Sequence, residues 1–264
     1  MTSFASSFGR NRIHPSLIVV AVGVVVLFHT WLLAQSKPLP ALDAPFSSSD
    51  YRAVLHAHVD DRGTVDYSRL KADRGKLDAF VASLAVGNPA IFEKWPEKDK
   101  IAFWSNAYNA LTLEAIVDHY PIRATGLKSL LYPENSIRQI PGVWDKLKFG
   151  ILGRELTLDA IEHSILREKF EEPRIHLALV CAARGCPQLR NEPYDGAKLD
   201  EQLDDQVRRF FTDPAKFRLD REKATVFLSP IFKWYGQDFV KRYGNTANFP
   251  WKTEAELAVL NFAS

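Results

Sequence analysis

The stretch KDKIAFWSNAYNALTLEAIVDHY, Lys98 to Tyr120, constrains the fold more than any other part of the chain. At helical spacing it carries one stripe of Ala102, Asn106, Asn109, Leu113, Ile116 and Tyr120, and another of Trp104, Tyr108, Leu111 and Ala115. Apolar residues lie on nearly every side, so a helix here has to be central, with the rest of the domain built around it. Pro121 closes it. Asn106 and Asn109 then fall inside an apolar stripe. A buried amide without hydrogen-bond partners costs about 1–3 kcal/mol. The two asparagines therefore either anchor neighbouring loop backbone or line a polar site.

The flanking sequence predicts shorter elements. Ser49–Ala57 and Leu77–Ala85 read as helices, the second ended by Gly87-Asn88-Pro89. Between them, HVDDRGTVDYSRL reads as a turn or short hairpin around Gly63, leading to the Val65-Tyr67 pair. Its Asp60, Asp61 and Asp66 miss calcium-loop spacing and suit a solvated turn. Val143–Leu156 suggests a hairpin punctuated by Gly150 and Gly153, a pair that does not match a phosphate loop. Helices are expected at 158–169, 199–211, 230–243 and 254–262, with a β-pair at 217–219 and 225–228. The apolar residues Ile175 to Ala182 predict a buried strand, central in a small sheet. The aromatic group Phe232, Trp234, Tyr235 and Phe239 reads as core, and His56 and His58 as surface residues near a helix end. The fold class is α+β: a helix-dominated single domain with a small β-sheet, preceded by an N-terminal transmembrane helix.

That preceding helix is read from Leu17 to Ala34, LIVVAVGVVVLFHTWLLA, 18 residues with His29 and Thr30 as the clearly polar positions. About 20 apolar residues cross a bilayer. Arg10 and Arg12 flank it on the side expected to stay in the cytoplasm. The organisation expected is a basic N-terminus at 1–15, a signal anchor at 16–35, a Pro/Ser-rich linker at 36–49, and a globular domain at 50–264. A cleavable signal peptide ending near Ala34-Gln35-Ser36 is the rival. The anchor places the globular domain in the periplasm on the inner membrane, and the cleaved form leaves it periplasmic or secreted. Charge is balanced, 34 Lys and Arg against 32 Asp and Glu, with no run of five like charges. Bulk electrostatics therefore predict no nucleic-acid partner.

Both cysteines, Cys181 and Cys186, sit in RIHLALVCAARGCPQL, residues 174–189. On a strand, Arg174, His176, Ala178 and Val180 share one face and Ile175, Leu177, Leu179 and Cys181 the other. A direct Cys181–His176 pair is then disfavoured, whereas the turn that follows brings Cys186 back beside either face. On the neighbouring helix, Glu162 and His163 lie beside the apolar positions 158, 161, 165 and 166, with Arg167 four residues beyond His163.

Five stretches occur in an order that resembles the DUF547 family, a domain of unknown function: VDYSRL at 65–70, FWSNAYNALTL at 103–113, LDAIEHSILR at 158–167, RIHLALVCAARGCPQL at 174–189 and SPIFKWYGQDF at 229–239. The resemblance spans most of residues 50–245. It implies no settled activity. Some plant members carry the domain beside a coiled-coil segment, where this chain has the apolar N-terminal run. The family's recurring polar positions correspond to Asn106, Asn109, Glu162, His163, Arg174, His176, Cys181 and Cys186.

Three chemistries use that set. In the first, the domain is a binding or scaffold module for a small-molecule, peptide or protein ligand, stapled by a Cys181–Cys186 disulfide. In the second, Cys186 is the nucleophile of an acyl-transfer enzyme, such as an amidohydrolase or transamidase. His176 or His163 is its base, and Asn109 or Glu162 orients the base or stabilises the oxyanion. In the third, Cys181, Cys186, His176 and His163 hold zinc, although the four-residue gap between the thiols is loose for such a site. Asn106, Arg174 and Cys181 are the candidate binding residues. No cofactor is expected.

Overall fold

Every residue of the predicted central helix from Ile101 to Leu113 is buried, and the helix runs Glu97–His119. The computed structural model describes residues 46–124, 126–182, 185–223, 225–243 and 262. The predicted span at 16–35 and the closing helix at 254–262 lie outside the described residues, apart from Phe262. Among the described residues no helix is long and apolar enough to cross a membrane.

Among the described residues four helices precede the central one: α1 (Ser49–His58), α2 (Tyr67–Ala72), α3 (Gly75–Val86) and the single turn α4 (Pro89–Phe92). The central helix is α5. Its N-terminal half meets a cluster of rings, with Phe92, Trp95 and Phe46 around Phe103 at centroid distances of 4.9–5.8 Å. Tyr51 of α1 stacks on Phe80 of α3 at 4.8 Å. Between α1 and α2 the chain turns through Gly63, φ +75°, and closes the turn with an isolated bridge between Val59 and Val65. A Cβ on Gly63 would stand 2.7 Å from the Leu189 carbonyl oxygen, so this turn has no room for a side chain. Asp60 accepts from the Arg62 and Thr64 amides, and Asp66 caps α2 through the Arg69 amide. These aspartates serve the turn, as the spacing predicts. Nearby, His56 is exposed but His58 is 6% exposed, so the surface reading fails for His58. It occupies the last turn of α1, on the same side as Tyr51, Val54 and Leu55.

Among the described residues the sheet content consists of two separate hairpins. Strands β1 (Phe149–Ile151) and β2 (Arg154–Leu156) pair through a turn in which Leu152 and Gly153 both have positive φ. That turn docks on α3, where the Leu152 and Gly153 amides donate to the Leu84 and Ala85 carbonyls. Strands β3 (Phe217–Asp220) and β4 (Thr225–Leu228) pair in the register Phe217–Leu228 to Asp220–Thr225. Between the hairpins come a π-helix at Ala160–Arg167, a 3-10 helix at Pro173–Leu177 and helix α6 (Leu199–Thr212). Helices α7 (Ile231–Trp234) and α8 (Gly236–Tyr243) follow, so the predicted helix at 230–243 is broken at Tyr235.

The predicted central strand at 175–182 is not a strand. Pro173 opens the 3-10 helix instead, and the Glu172 side chain caps it by accepting from the Arg174 amide at 3.1 Å. The beyond-helix backbone is satisfied by side chains rather than by a sheet neighbour. Asn109 donates to the Ala178 carbonyl at 3.0 Å and accepts from the Val180 amide at 2.9 Å. Gln206 of α6 donates to the carbonyls of Leu177 and Gln188, both at 2.9 Å. One turn earlier on α5, Asn106 makes the same two-way bond with Tyr194, and Gln202 holds the backbone of Pro193 and Asp195. Four buried amide side chains thus stand in for a β-ladder along the irregular stretches 177–182 and 185–195. The apolar residues that suggested a strand are needed because the segment lies between two cores. Ile175, Ala178, Leu179 and Val180 join the main cluster, and Leu177 joins the one around Phe210, Phe232 and Phe239.

Past the most buried stretch of α5, Glu114 faces a mixed-charge group. Burial first, then the Asp118 carboxylate, push its carboxyl up to about 7; Arg74 opposes the rise and Asp78 adds to it. The folded value lies above the ordinary 4.5. Protonated Glu114 therefore favours the fold below about pH 4.5, and this contribution is lost as pH rises through 7. The Glu114→Gln variant is expected to gain stability over the parent chain at pH 8 and to match it more closely at pH 5, read from urea unfolding midpoints at the two pH values.

Candidate functional site

The π-helix and the Asp159 that precedes it supply one wall of a cavity of about 220 Å³, through Asp159, Glu162 and His163. A π-turn inserts an extra residue per turn, and such insertions recur at functional sites. Glu162 is only 8% exposed. Its two oxygens accept from different hydroxyls: Tyr108 of α5 at 3.0 Å, and Tyr235, between α7 and α8, at 2.5 Å. Burial and then the Glu162 charge raise both phenols above their ordinary range, so they stay protonated and donate. Asp159 is also raised, chiefly by burial.

The 3-10 helix supplies the second wall through His176. Its ring lies flat on Tyr235, with centroids 3.8 Å apart and planes 7° apart. His176 Nε2 is 2.7 Å from Asp238 Oδ2 on α8. Arg167, from the end of the π-helix, grips the same carboxylate with two bonds, Nε at 2.7 Å and Nη2 at 3.0 Å. It also donates to His163 Nδ1 at 3.2 Å and lies over the Tyr235 ring. Burial opposes ionisation of Asp238, but hydrogen bonds from His176 and Arg167 prevail and hold it well below the usual carboxylate range. His176 is lowered because burial outweighs the pull of Asp238. Asp238 asks for a cation and His176 resists becoming one. Arg167 resolves the conflict by supplying the charge. At neutral pH the imidazole is therefore neutral. A carboxylate can only accept, so Nε2 carries the hydrogen and Nδ1 keeps its lone pair. That Nδ1 is buried with no hydrogen-bond partner.

The third wall is the cysteine loop. Cys181 and Cys186 form a disulfide with Cα atoms 5.9 Å apart, and both residues line the cavity. Cys186 is 8% exposed and Cys181 is half-buried. The Ser229 hydroxyl donates to the Gly185 carbonyl and ties the loop to the segment leading into α7. The rim includes Arg138, Trp144 and Trp234, the last 56% exposed. Trp234 therefore departs from the core reading given to its aromatic group, whereas Phe232 and Phe239 are buried as expected.

Of the candidate residues, Glu162, His163, His176, Cys181 and Cys186 come together here. With no strand at 175–182, the alternation that separated His176 from Cys181 has no basis, and both line the same cavity. Asn106 and Asn109 do not line it; each amide is occupied with loop backbone, the anchoring role that the sequence left open. Arg174 does not line it either. Its guanidinium binds Glu172, Asp200 and Asp204 at 2.6–2.8 Å. The zinc arrangement loses its ligands, because sulfurs joined to each other are not thiolates. No group of three or more His, Cys, Asp or Glu among the described residues is placed to hold a metal.

Sequence reasoning missed Asp238, and with it Tyr235 and Tyr108 as partners of Glu162. A usable signal existed in KWYGQDF, where Asp238 is an acid immediately before the fully buried Phe239. Its partner His176 lies 62 residues earlier, beyond the reach of any local pattern.

No curated protein and no solved structure matches the chain. A match to a family model covers residues 92–211, narrower than the resemblance drawn from the motifs and leaving VDYSRL and SPIFKWYGQDF outside it. Its description is protein of unknown function, DUF547, and the match supports a DUF547 domain at residues 92–211.

Proposed function

We propose that the chain is a ligand-binding module tethered to the outer face of the inner membrane by its N-terminal apolar segment. The observation that carries the binding reading is the cavity of about 220 Å³, in which a buried, doubly hydrogen-bonded Glu162 and a neutral His176 sit beneath aromatic rims. Concave, partly apolar sites with a few fixed polar groups are the usual form of small-molecule sites. The disulfide supports an oxidising location, and the apolar run at 17–34 supports the tether. The ligand that fits is small, with a flat apolar face for Trp144 and Trp234 and polar groups for the floor.

The test is a thermal-shift screen of small polar compounds, sugars and amino-acid derivatives on the full-length chain, repeated with Trp234→Ala. Binding at the cavity predicts compounds that raise the melting temperature of the parent chain and lose that effect in the variant. Compounds that stabilise both equally, or none that stabilise the parent, would contradict the reading. A phosphatase reporter fused after Ser264 tests the location: activity is expected only if the domain is exported.

One observation favours a second reading, acyl transfer by Cys186 once the disulfide has been reduced. The His176–Asp238 pair has the form of a base held by an orienting carboxylate, and Cys186 shares its cavity. Asp238, rather than Asn109 or Glu162, fills the orienting role in this arrangement.

A further inference from the structure

We infer that the Cys181–Cys186 disulfide is a thiol-exchange site whose opening by a dithiol reductant generates a Cys186 thiolate paired with His176. The inference rests on the second reading only in sharing its cavity and its base. It requires no acyl substrate.

The two sulfurs are not equivalent. Cys181 is half-buried and its neighbour Ala182 is exposed, whereas Cys186 is 8% exposed and followed by the buried Pro187. Exchange begins with a thiolate reaching one sulfur along the bond axis, and access selects which. Cys181 is the more exposed residue of the pair, so its sulfur is the one that exchange reaches first. Attack there forms a reductant–Cys181 bond, breaks the Cys181–Cys186 bond and leaves the electron pair on Cys186. The proton lost by the attacking thiol passes through solvent to His176 Nδ1, the buried nitrogen without a partner. Asp238 holds the opposite nitrogen and Arg167 fixes Asp238, so the new imidazolium forms against a carboxylate already in place. The second thiol of the reductant then attacks its own sulfur in the mixed disulfide and releases Cys181 as a thiol. Two electrons have moved from the dithiol to the protein, and the reductant leaves as its disulfide.

The device explains why a neutral imidazole with an unpartnered nitrogen is kept beside a disulfide. While the bond is closed, Nδ1 has nothing to accept from. Once it opens, the same nitrogen stabilises the leaving sulfur, and a thiol that is stabilised as thiolate also leaves faster.

The test uses the full-length chain. First, the parent is treated with limiting glutathione, quenched with acid, and the adduct mapped by mass spectrometry. It is expected on Cys181; an adduct on Cys186, or an equal division, would overturn the inference. Second, the pH dependence of iodoacetamide alkylation is measured for Cys181→Ser, which leaves Cys186 alone. The reference is Cys186→Ser, and near-ultraviolet circular dichroism checks folding. The midpoint of the Cys186 alkylation profile is expected at least about 1 pH unit below that of the lone Cys181, whatever their absolute rates, and adding His176→Asn should abolish the difference. An ordinary thiol titration near pH 8.5, indifferent to His176→Asn, would overturn the inference. The adduct map needs no variant, so misfolding of a substituted chain cannot hide the answer. If the thiolate forms as described but the reduced chain cleaves no ester or amide, acyl transfer fails while the exchange site stands.

Discussion

Replacing Asn109 with alanine is expected to lower the unfolding free energy by about 2–5 kcal/mol. Its amide makes two bonds to backbone, to the Ala178 carbonyl and from the Val180 amide, in a site only 2% exposed. Alanine leaves both backbone groups buried without partners, each at about 1–3 kcal/mol. Asn109→Asp separates this from the effect of lost volume. It keeps the shape and the acceptor for Val180, but it turns a carboxylate oxygen toward the Ala178 carbonyl and buries a charge. Asp is expected to be at least as damaging as Ala. Urea unfolding of both variants decides the point: an Asp variant near parental stability would mean that Asn109 acts by filling space. Because residues 178–180 lead directly into Cys181, the destabilised variants should also distort the cavity and expose the disulfide to reductant.

The second large effect is at Asp238. Asp238→Asn is expected to cost about 1.5–3 kcal/mol, the range for hydrogen bonds to charged groups, less than for a fully buried pair because both partners are partly exposed. The neutral amide removes the anion opposite Arg167 and turns a donor toward one of its former donors. Arg167→Met combined with Asp238→Asn is expected to cost less than the sum of the two single changes, since the first removes the charge that the second leaves unpaired. Strict additivity in a double-mutant cycle would show that the Arg167–Asp238 contact contributes nothing to stability. His176 should also lose its fixed tautomer in Asp238→Asn, because Asn offers both a donor and an acceptor where the carboxylate only accepts.

Elements with a complete local pattern were readable from sequence. The central helix, α1, α3, α6 and the second hairpin declare themselves by spacing, by glycines at turns and by closing prolines, and their observed bounds differ from the expected ones by a residue or two, whereas the first hairpin, expected from Val143, begins only at Phe149. Residues 175–182 were not readable, because an apolar run has one composition whether it is a strand beside other strands or a buried turn. What distinguishes them here is remote: Asn109 lies 69 residues from Ala178, and Gln206 lies 29 residues from Leu177. Asn109 was visible as a buried amide without a known purpose, and the lost ladder gives it one. The same limit governs the site. Glu162 and His163 announce themselves on one helix, and the two cysteines on one loop. The pairings Tyr108–Glu162–Tyr235 and His176–Asp238 join segments 54 to 73 residues apart, so only the folded chain brings them together.

The central claim is that the His176–Asp238 pair and the cysteine loop form a single site. Nitrogen-15 NMR of the histidine ring in the full-length chain tests it most directly, with His176 assigned by its loss in His176→Asn. In the oxidised chain His176 should be neutral at pH 7, protonated on Nε2, and titrate below the ordinary 6.5. After reduction by a dithiol it should become an imidazolium at the same pH. An unchanged His176 titration in the oxidised and reduced chains would contradict the claim and leave the disulfide a staple with no bearing on the histidine.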